Sequence, residues 1–205
     1  MQRSLADTPE SWPVSKRVDL FRDDWVMALR SDTLTRPGHD RPFERLVFEH
    51  PGAVAVLAVD GSSGADHVLI LRQYRHPVQR RLVEIPAGLL DVETETELGA
   101  AQRELREEAQ LAARRWSVLV DVLSSPGIST EAVRIYLAED LYTAEEDGFE
   151  PCHEEAEMTR EWVGLADLVD AILAGSVRDS LAVAGALALW ARRHGAQSPP
   201  DPAST

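Results

Sequence analysis

The chain of 205 residues carries 21 basic and 35 acidic side chains, a net charge of −14, and 44% hydrophobic residues. That length and apolar content fit one domain, or one domain with a small attachment, around a sizeable core. The acidic excess argues against a nucleic-acid or anionic-membrane surface, since both need basic patches. The lone cysteine, Cys152, excludes an internal disulfide and a Cys-rich zinc site.

No apolar run approaches the roughly 18 residues of a membrane span, and Met1 to Pro13 lacks the apolar core of a signal peptide. The chain therefore reads as soluble and cytoplasmic. Residues 1–15, polar with Pro9 and Pro13, read as a loose arm in which Trp12 is free to pack back on the body. Alternation in Val18, Leu20, Trp25, Met27 and Leu29 predicts one or two strands between Arg17 and Thr35. A Pro/Gly turn from Thr35 to Pro42 then leads to a strand over Phe43–His50. This portion is too short to bury a core of its own and must lean on the main domain or on a second subunit, the latter being expected.

Ala53-Val54-Ala55-Val56-Leu57-Ala58-Val59 is a near-continuous apolar run, the pattern of a strand buried on both faces. After a turn at Gly61–Gly64, strands are predicted over His67–Tyr74 and Leu82–Ile85, then a helix from about Glu97 to Ala113. Further strands follow at Val118–Leu123, Ala132–Leu137 and Trp162–Val163, and helices at Leu165–Ala174 and Ser180–His194. Asp179 is a good N-cap for the last helix, whose Leu181, Ala184, Leu187, Ala188 and Ala191 are read as its core face. The proline-rich tail, residues 196–205, is expected to be disordered. The order of elements suggests a mixed sheet sandwiched between helices.

The chemistry concentrates in the helix from Glu97. At 100° per residue Leu98, Ala101, Leu105, Ala109 and Ala112 share an apolar stripe, and Glu104, Glu107 and Glu108 lie along its flank. Each i,i+3 or i,i+4 like-charge pair costs about 0.2–0.5 kcal/mol, more where water is excluded. A divalent cation would reverse the sign, and clustered hard oxygens suit Mg²⁺ or Mn²⁺. The alternative is an ordinary charged helix face with Arg103 paired to Glu107.

The spacing of Gly88, Glu95 and Arg103-Glu104-Leu105-Arg106-Glu107-Glu108 resembles the Nudix box, G-x5-E-x7-R-E-U-x-E-E-x-G-U, with U a bulky aliphatic residue. Two departures stand out: six residues separate Gly88 from Glu95, and Gln110 replaces the second glycine. The first lies in a loop; the second obliges a glutamine to end the helix in a left-handed conformation, at a cost of about 1 kcal/mol. Arg72-Gln73-Tyr74-Arg75 with Glu84-Ile85-Pro86-Ala87-Gly88, and Ser125-Pro126-Gly127 with Glu131, are similar to elements of the ADP-ribose pyrophosphatase subfamily. Taken alone, Ser-Pro-Gly is merely a turn.

The resemblance implies an α/β/α sandwich over residues 49–195, with residues 1–48 as a β segment for homodimerisation. It implies Mg²⁺-dependent hydrolysis of ADP-ribose to AMP and ribose 5-phosphate, with Mn²⁺ possible. Another nucleoside diphosphate sugar, such as GDP-mannose, a dinucleotide, and a non-catalytic ADP-ribose sensor stand as alternatives. The implied metal ligands are Glu104 and Glu108, with Glu107 and the Ala87 carbonyl as auxiliaries, and Arg103 orients the glutamates. Arg45, Arg75, Glu84, Gly127 and Glu131 are the implied substrate contacts, although Arg45 also reads as a solvent-facing strand arginine. For the general base the resemblance points to His153–Met158, with Glu155 first and Glu154 second, in a segment otherwise resembling a solvated acidic loop.

Overall fold

The computed structural model describes residues 5–23, 27–144 and 157–195. The chain divides into two units, Met1–Pro51 with Ser125–Thr130, and Gly52–Ser124 with Glu131–Thr205.

In the first unit β1 (Val14–Arg22), β2 (Ala28–Thr35) and β3 (Pro42–Glu49) form an antiparallel sheet in that order. The Arg17–Thr35 stretch thus holds two strands, and the first begins inside what reads as a loose arm. Trp12 packs edge-on against Phe43, while Trp25 lies outside the described residues. The loop at Ser125–Thr130 pairs with β3: Phe48 N–H donates to Ile128 O and Thr130 N–H to Phe48 O, at 2.7 and 3.0 Å. Every residue of β1 is exposed, including Leu20 at 57% and Phe21 at 64%.

The second unit is the sandwich. Its sheet runs β10 (Thr159–Gly164), β5 (His67–Arg75), β4 (Ala53–Asp60), β9 (Ala132–Thr143), β8 (Leu111–Leu123). A short β6 (Arg80–Glu84) pairs with β5, and β7 (Ala87–Leu89) pairs with β4. β4 and β9 are parallel and the other pairs antiparallel. Alternation along β4 feeds two cores: Ala53, Ala55, Leu57 and Val59 pack toward α2 (Leu165–Leu173) and α3 (Ser180–Arg193). Val54, Val56 and Ala58 pack toward α1 (Glu97–Ala109). A strand buried on both faces has no polar side to show, which is why its sequence is an unbroken apolar run.

Several boundaries differ from the sequence reading. α1 stops at Ala109, not Ala113, because Gln110 takes φ 56° and its N–H closes back on Arg106 O and Leu105 O. The chain passes straight into β8, so Ala112 is a strand residue. β8 and β9 extend well beyond Val118–Leu123 and Ala132–Leu137 because they pair from Leu111↔Thr143 to Leu123↔Ala132. Asp179 caps α3 as expected, accepting from the N–H groups of Leu181 and Ala182 at 3.1 and 2.8 Å. Leu181, Ala184, Leu187 and Ala188 pack partly buried against the core, but the fully buried face of that helix is Ala182, Gly185, Ala186 and Leu189, and Ala191 is exposed. A helix apolar on nearly all sides gives little periodicity to read. Small residues decide the matter: a Cβ at Gly185 would already touch Leu57, Ile85 and Ile135 at 3.5–3.6 Å.

Candidate functional site

α1 begins at Thr96, whose hydroxyl accepts from Gly99 N–H at 3.0 Å. Its apolar side, Ala100, Ala101, Leu105 and Ala109, is buried. Three of these four are alanines, so the helix lies close to the sheet and draws the neighbouring carboxylates inward. Glu104 is 9% exposed and Glu108 6%, while Glu107 is half-buried. At the other side of the contact is the Ala87–Gly88 backbone. Glu108 Oε2 accepts from Ala87 N–H at 2.9 Å. A Cβ on Gly88 would stand 1.8 Å from Glu104 Oε1 and 2.1 Å from its Cδ, so any side chain here would push the Glu104 carboxylate out of its place; the constraint is close approach, not a positive φ.

One guanidinium organises the acids. Arg103 Nε donates to Glu95 Oε1 and Oε2 at 3.3 and 3.2 Å, and Nη2 to Oε2 at 3.1 Å. Its Nη1 donates to Glu104 at 2.6 Å and Glu107 at 3.1 Å. Burial alone would pull the Arg103 pKa down, but the hydrogen bonds it donates to Glu95, Glu104 and Glu107 and the charge of Glu104 outweigh it, and the pKa is raised. The i,i+4 pair of an ordinary charged helix face is therefore present, as one of three pairs on the same cation.

The donor set is chemically suited to a hard cation: three carboxylates of one helix turn and the adjacent Ala87 carbonyl, all oxygen. Among the described residues no three such side chains already converge as a metal cluster. Arg103 lies between Glu104 and Glu107, so its guanidinium balances their charge.

Arg75 ends β5 and grips Glu84, with Nε at 3.0 and 3.2 Å and Nη2 at 2.8 Å from its oxygens. That hydrogen bonding is the main reason the Arg75 pKa is raised; burial opposes it, and the charges of Glu84, Glu108 and Asp179 add to it. Arg75, Glu84, Glu104, Glu107, Glu108, Arg103 and Ala87 thus all belong to the second unit. Glu131, half-buried, directly precedes β9 in that unit.

Arg45 and Gly127 are brought together in the first unit, where both line a cleft of about 630 Å³ with Trp12, Arg30, Asp32 and Leu34. Arg45 is exposed, its guanidinium 4.6 Å above the Phe43 ring. Ser125–Gly127 is indeed a turn, with Ile128 N–H donating to Ser125 O at 3.0 Å. Glu154 and Glu155 lie outside the described residues, as do Cys152 and His153.

Two side chains near the site escaped the sequence reading. Arg134 on β9 donates to Glu97, at the start of α1, at 2.5 Å and to both oxygens of Asp121 at 2.8 and 2.9 Å. An arginine interrupting the apolar run Val133–Leu137 was the available signal, since a charge there needs partners. Asp179 was read only as a cap, yet its carboxyl pKa is raised, first by burial and also by the Glu84 charge. Nothing in linear sequence joins Asp179 to Glu84.

The family model for the NUDIX domain matches residues 49–182. An ADP-ribose pyrophosphatase of Mycobacterium tuberculosis (strain ATCC 25618 / H37Rv) is 44% identical over 174 residues, 85% of this chain and 81% of the relative. An ADP-ribose pyrophosphatase of Bacillus subtilis (strain 168) is 41% identical over 103 residues, 50% of this chain and 54% of the relative. A solved structure described as an ADP compounds hydrolase shares the fold, with a TM-score of 0.71 at 21% identity, covering 93% of this chain and 99% of that one. With the NUDIX model matching 49–182, around the helix turn and loop described above, the chain belongs to the NUDIX family.

Proposed function

We propose that this protein hydrolyses the pyrophosphate bond of ADP-ribose, giving AMP and ribose 5-phosphate, with a divalent cation bound at α1. The observation that carries the reading is the turn that sets Glu104, Glu107 and Glu108 against the Ala87–Gly88 backbone. The substrate rests on the two relatives named ADP-ribose pyrophosphatase.

In this reading Glu104 and Glu108 are the principal ligands, with Glu107 and the Ala87 carbonyl as auxiliaries. A cation held there supplies shielding of the phosphate oxygens, a water of lowered pKa and stabilisation of the leaving phosphate. Mg²⁺, or Mn²⁺ in its place, is the ion that an all-oxygen set favours. Arg103 orients Glu104 and Glu107 through its Nη1 and is itself anchored by Glu95. Arg75 donates to a phosphate oxygen, a role for which a guanidinium is well shaped. Arg45, Gly127 and Glu131 are further substrate contacts, and Glu155, or failing it Glu154, takes the proton from the attacking water. The exposed apolar side chains of β1 support a homodimer built through the N-terminal strands. Among the described residues no helix is long and apolar enough to cross a membrane, and we assign the protein to the cytoplasm.

The test is release of phosphate esters from ADP-ribose, GDP-mannose, NADH, FAD and dGTP, each with Mg²⁺ and with EDTA. Fast cleavage of ADP-ribose alone, abolished by EDTA, is the expected result. Comparable rates on several substrates would withdraw the substrate assignment. Binding of ADP-ribose without cleavage would indicate a sensor.

A further inference from the structure

Arg75 and Glu84 are not neighbours across the β5–β6 ladder. Arg75 stands opposite Arg80, and Glu84 stands opposite Leu71, four residues further along β6. The arginine side chain therefore runs back along the sheet to reach Glu84. Its own strand end is exposed, with 47% of the side chain accessible, whereas the Glu84 side chain is only 8% exposed. Without a fixed partner, a long cation at the end of a strand gains entropy and hydration by extending into solvent.

Glu84 supplies that partner in a two-pronged form. Both carboxylate oxygens are taken up by Nε and Nη2, which fixes the plane of the guanidinium as well as its place. Among the described residues Nη1 has no hydrogen-bond partner. Glu84 is the last residue of β6, and the chain continues through Ile85 and Pro86 to Ala87, whose N–H is held by Glu108. Ile85 is buried and lies where a side chain at Gly185 would touch it, so this stretch is clamped by α3. The anchor of Arg75 thus leads into a buried, packed stretch and is close in sequence to the candidate metal ligands.

We propose that Glu84 is a positioning residue and not a substrate contact: it draws Arg75 back along β6 and presents the guanidinium's open Nη1 to a phosphate oxygen of the pyrophosphate ester. This rests on the reaction proposed above. It replaces the expectation that Glu84 is itself a substrate contact.

The test is a double-mutant cycle of Glu84→Gln, Arg75→Gln and the pair, with KM and kcat measured on ADP-ribose at saturating Mg²⁺ and Tm followed in parallel. Glu84→Gln is expected to raise KM about tenfold while kcat changes far less, the pattern of lost ground-state binding. In the Arg75→Gln background the same change is expected to add nothing, because the residue acts through Arg75. A full Glu84→Gln effect in that background would show direct contact with substrate and overturn the proposal. So would a fall in Tm with KM unchanged, the mark of a purely structural pair. Should the glutamine variant prove unstable, Glu84→Met replaces it at similar volume in the same cycle. If the wild type cleaves no ADP-ribose, the reaction assignment fails separately. The cycle is then read in calorimetric binding of inorganic pyrophosphate, where additive losses or an unchanged affinity in Glu84→Gln would reject the positioning role.

Discussion

Replacing Gly88 by alanine isolates the contact between the loop and α1. Gly88 has no positive φ, so alanine brings no backbone strain and its whole effect comes from one methyl group. That methyl would lie 1.8 Å from Glu104 Oε1, 2.1 Å from Cδ and 2.7 Å from Cγ, so the carboxylate must retreat about 1.6 Å to reach ordinary contact near 3.4 Å. Glu104 is a flexible side chain and can retreat, but only by leaving the place in which Arg103 holds it at 2.6 Å. A misplacement of about 1 Å in a reacting site costs on the order of 100-fold, so kcat/KM for ADP-ribose should fall about 100-fold, equivalent to roughly 2.7 kcal/mol of barrier. Stability should fall by about 1–3 kcal/mol, as for an overpacked core position, or roughly 2–4 °C in Tm per kcal/mol. Gly61→Ala is the control, since its Cβ meets only Asp66 Oδ1 at an ordinary 3.5 Å. Steady-state turnover with Mg²⁺, paired with thermal melts, reads both quantities. Full activity in Gly88→Ala would refute the claim that the position of Glu104 matters to the reaction.

Glu108→Gln keeps an oxygen able to accept from Ala87 N–H but removes the charge; kcat should drop at least 100-fold, about 3 kcal/mol, with a native circular dichroism spectrum, and undiminished turnover at saturating Mg²⁺ would exclude Glu108 as a ligand. Gln110→Gly relieves a left-handed φ of 56° and should raise stability by about 1 kcal/mol in denaturant titration; the lost bond from Arg160 Nη1 to Gln110 Oε1 is exposed and subtracts little. Asp179→Asn retains a good cap but cannot titrate. The folded Asp179 pKa lies above its ordinary 3.8, so the folded state binds more protons in that window and wild-type stability declines as pH rises through it. Between pH 3.8 and neutrality the variant should therefore gain on the wild type; melts showing a constant difference would remove burial of Asp179 as the cause.

Much of the fold was legible because its signals are local. β4 announces itself as a run without a polar side, and α1 by a stripe of small apolar residues flanked by acids. What was less legible depends on partners distant in sequence. The lengths of β8 and β9 come from pairing with each other, which carries residues of mixed polarity such as Arg115 opposite Glu139 into the sheet. The buried face of α3 is chosen by what Leu57, Ile85 and Ile135 leave room for, not by its own periodicity. In the site, the Glu104–Glu107–Glu108 turn follows from spacing alone. The Arg75–Glu84 clasp does not, since each residue was identifiable but their union requires β5 and β6 to pair.

The single-residue joint at Gln110 has a practical consequence for altering this scaffold. Because α1 passes into β8 through one left-handed residue, an inserted or deleted amino acid there would turn the preceding helix by about 100° or reverse which side of the strand each following residue faces. Length variation is expected to be rejected at this junction and accepted at the exposed Gly61–Gly64 turn, where a peptide tag or a circular-permutation breakpoint disturbs no buried group. A library that randomises loop lengths should keep residues 97–123 at constant length and vary the hairpin instead.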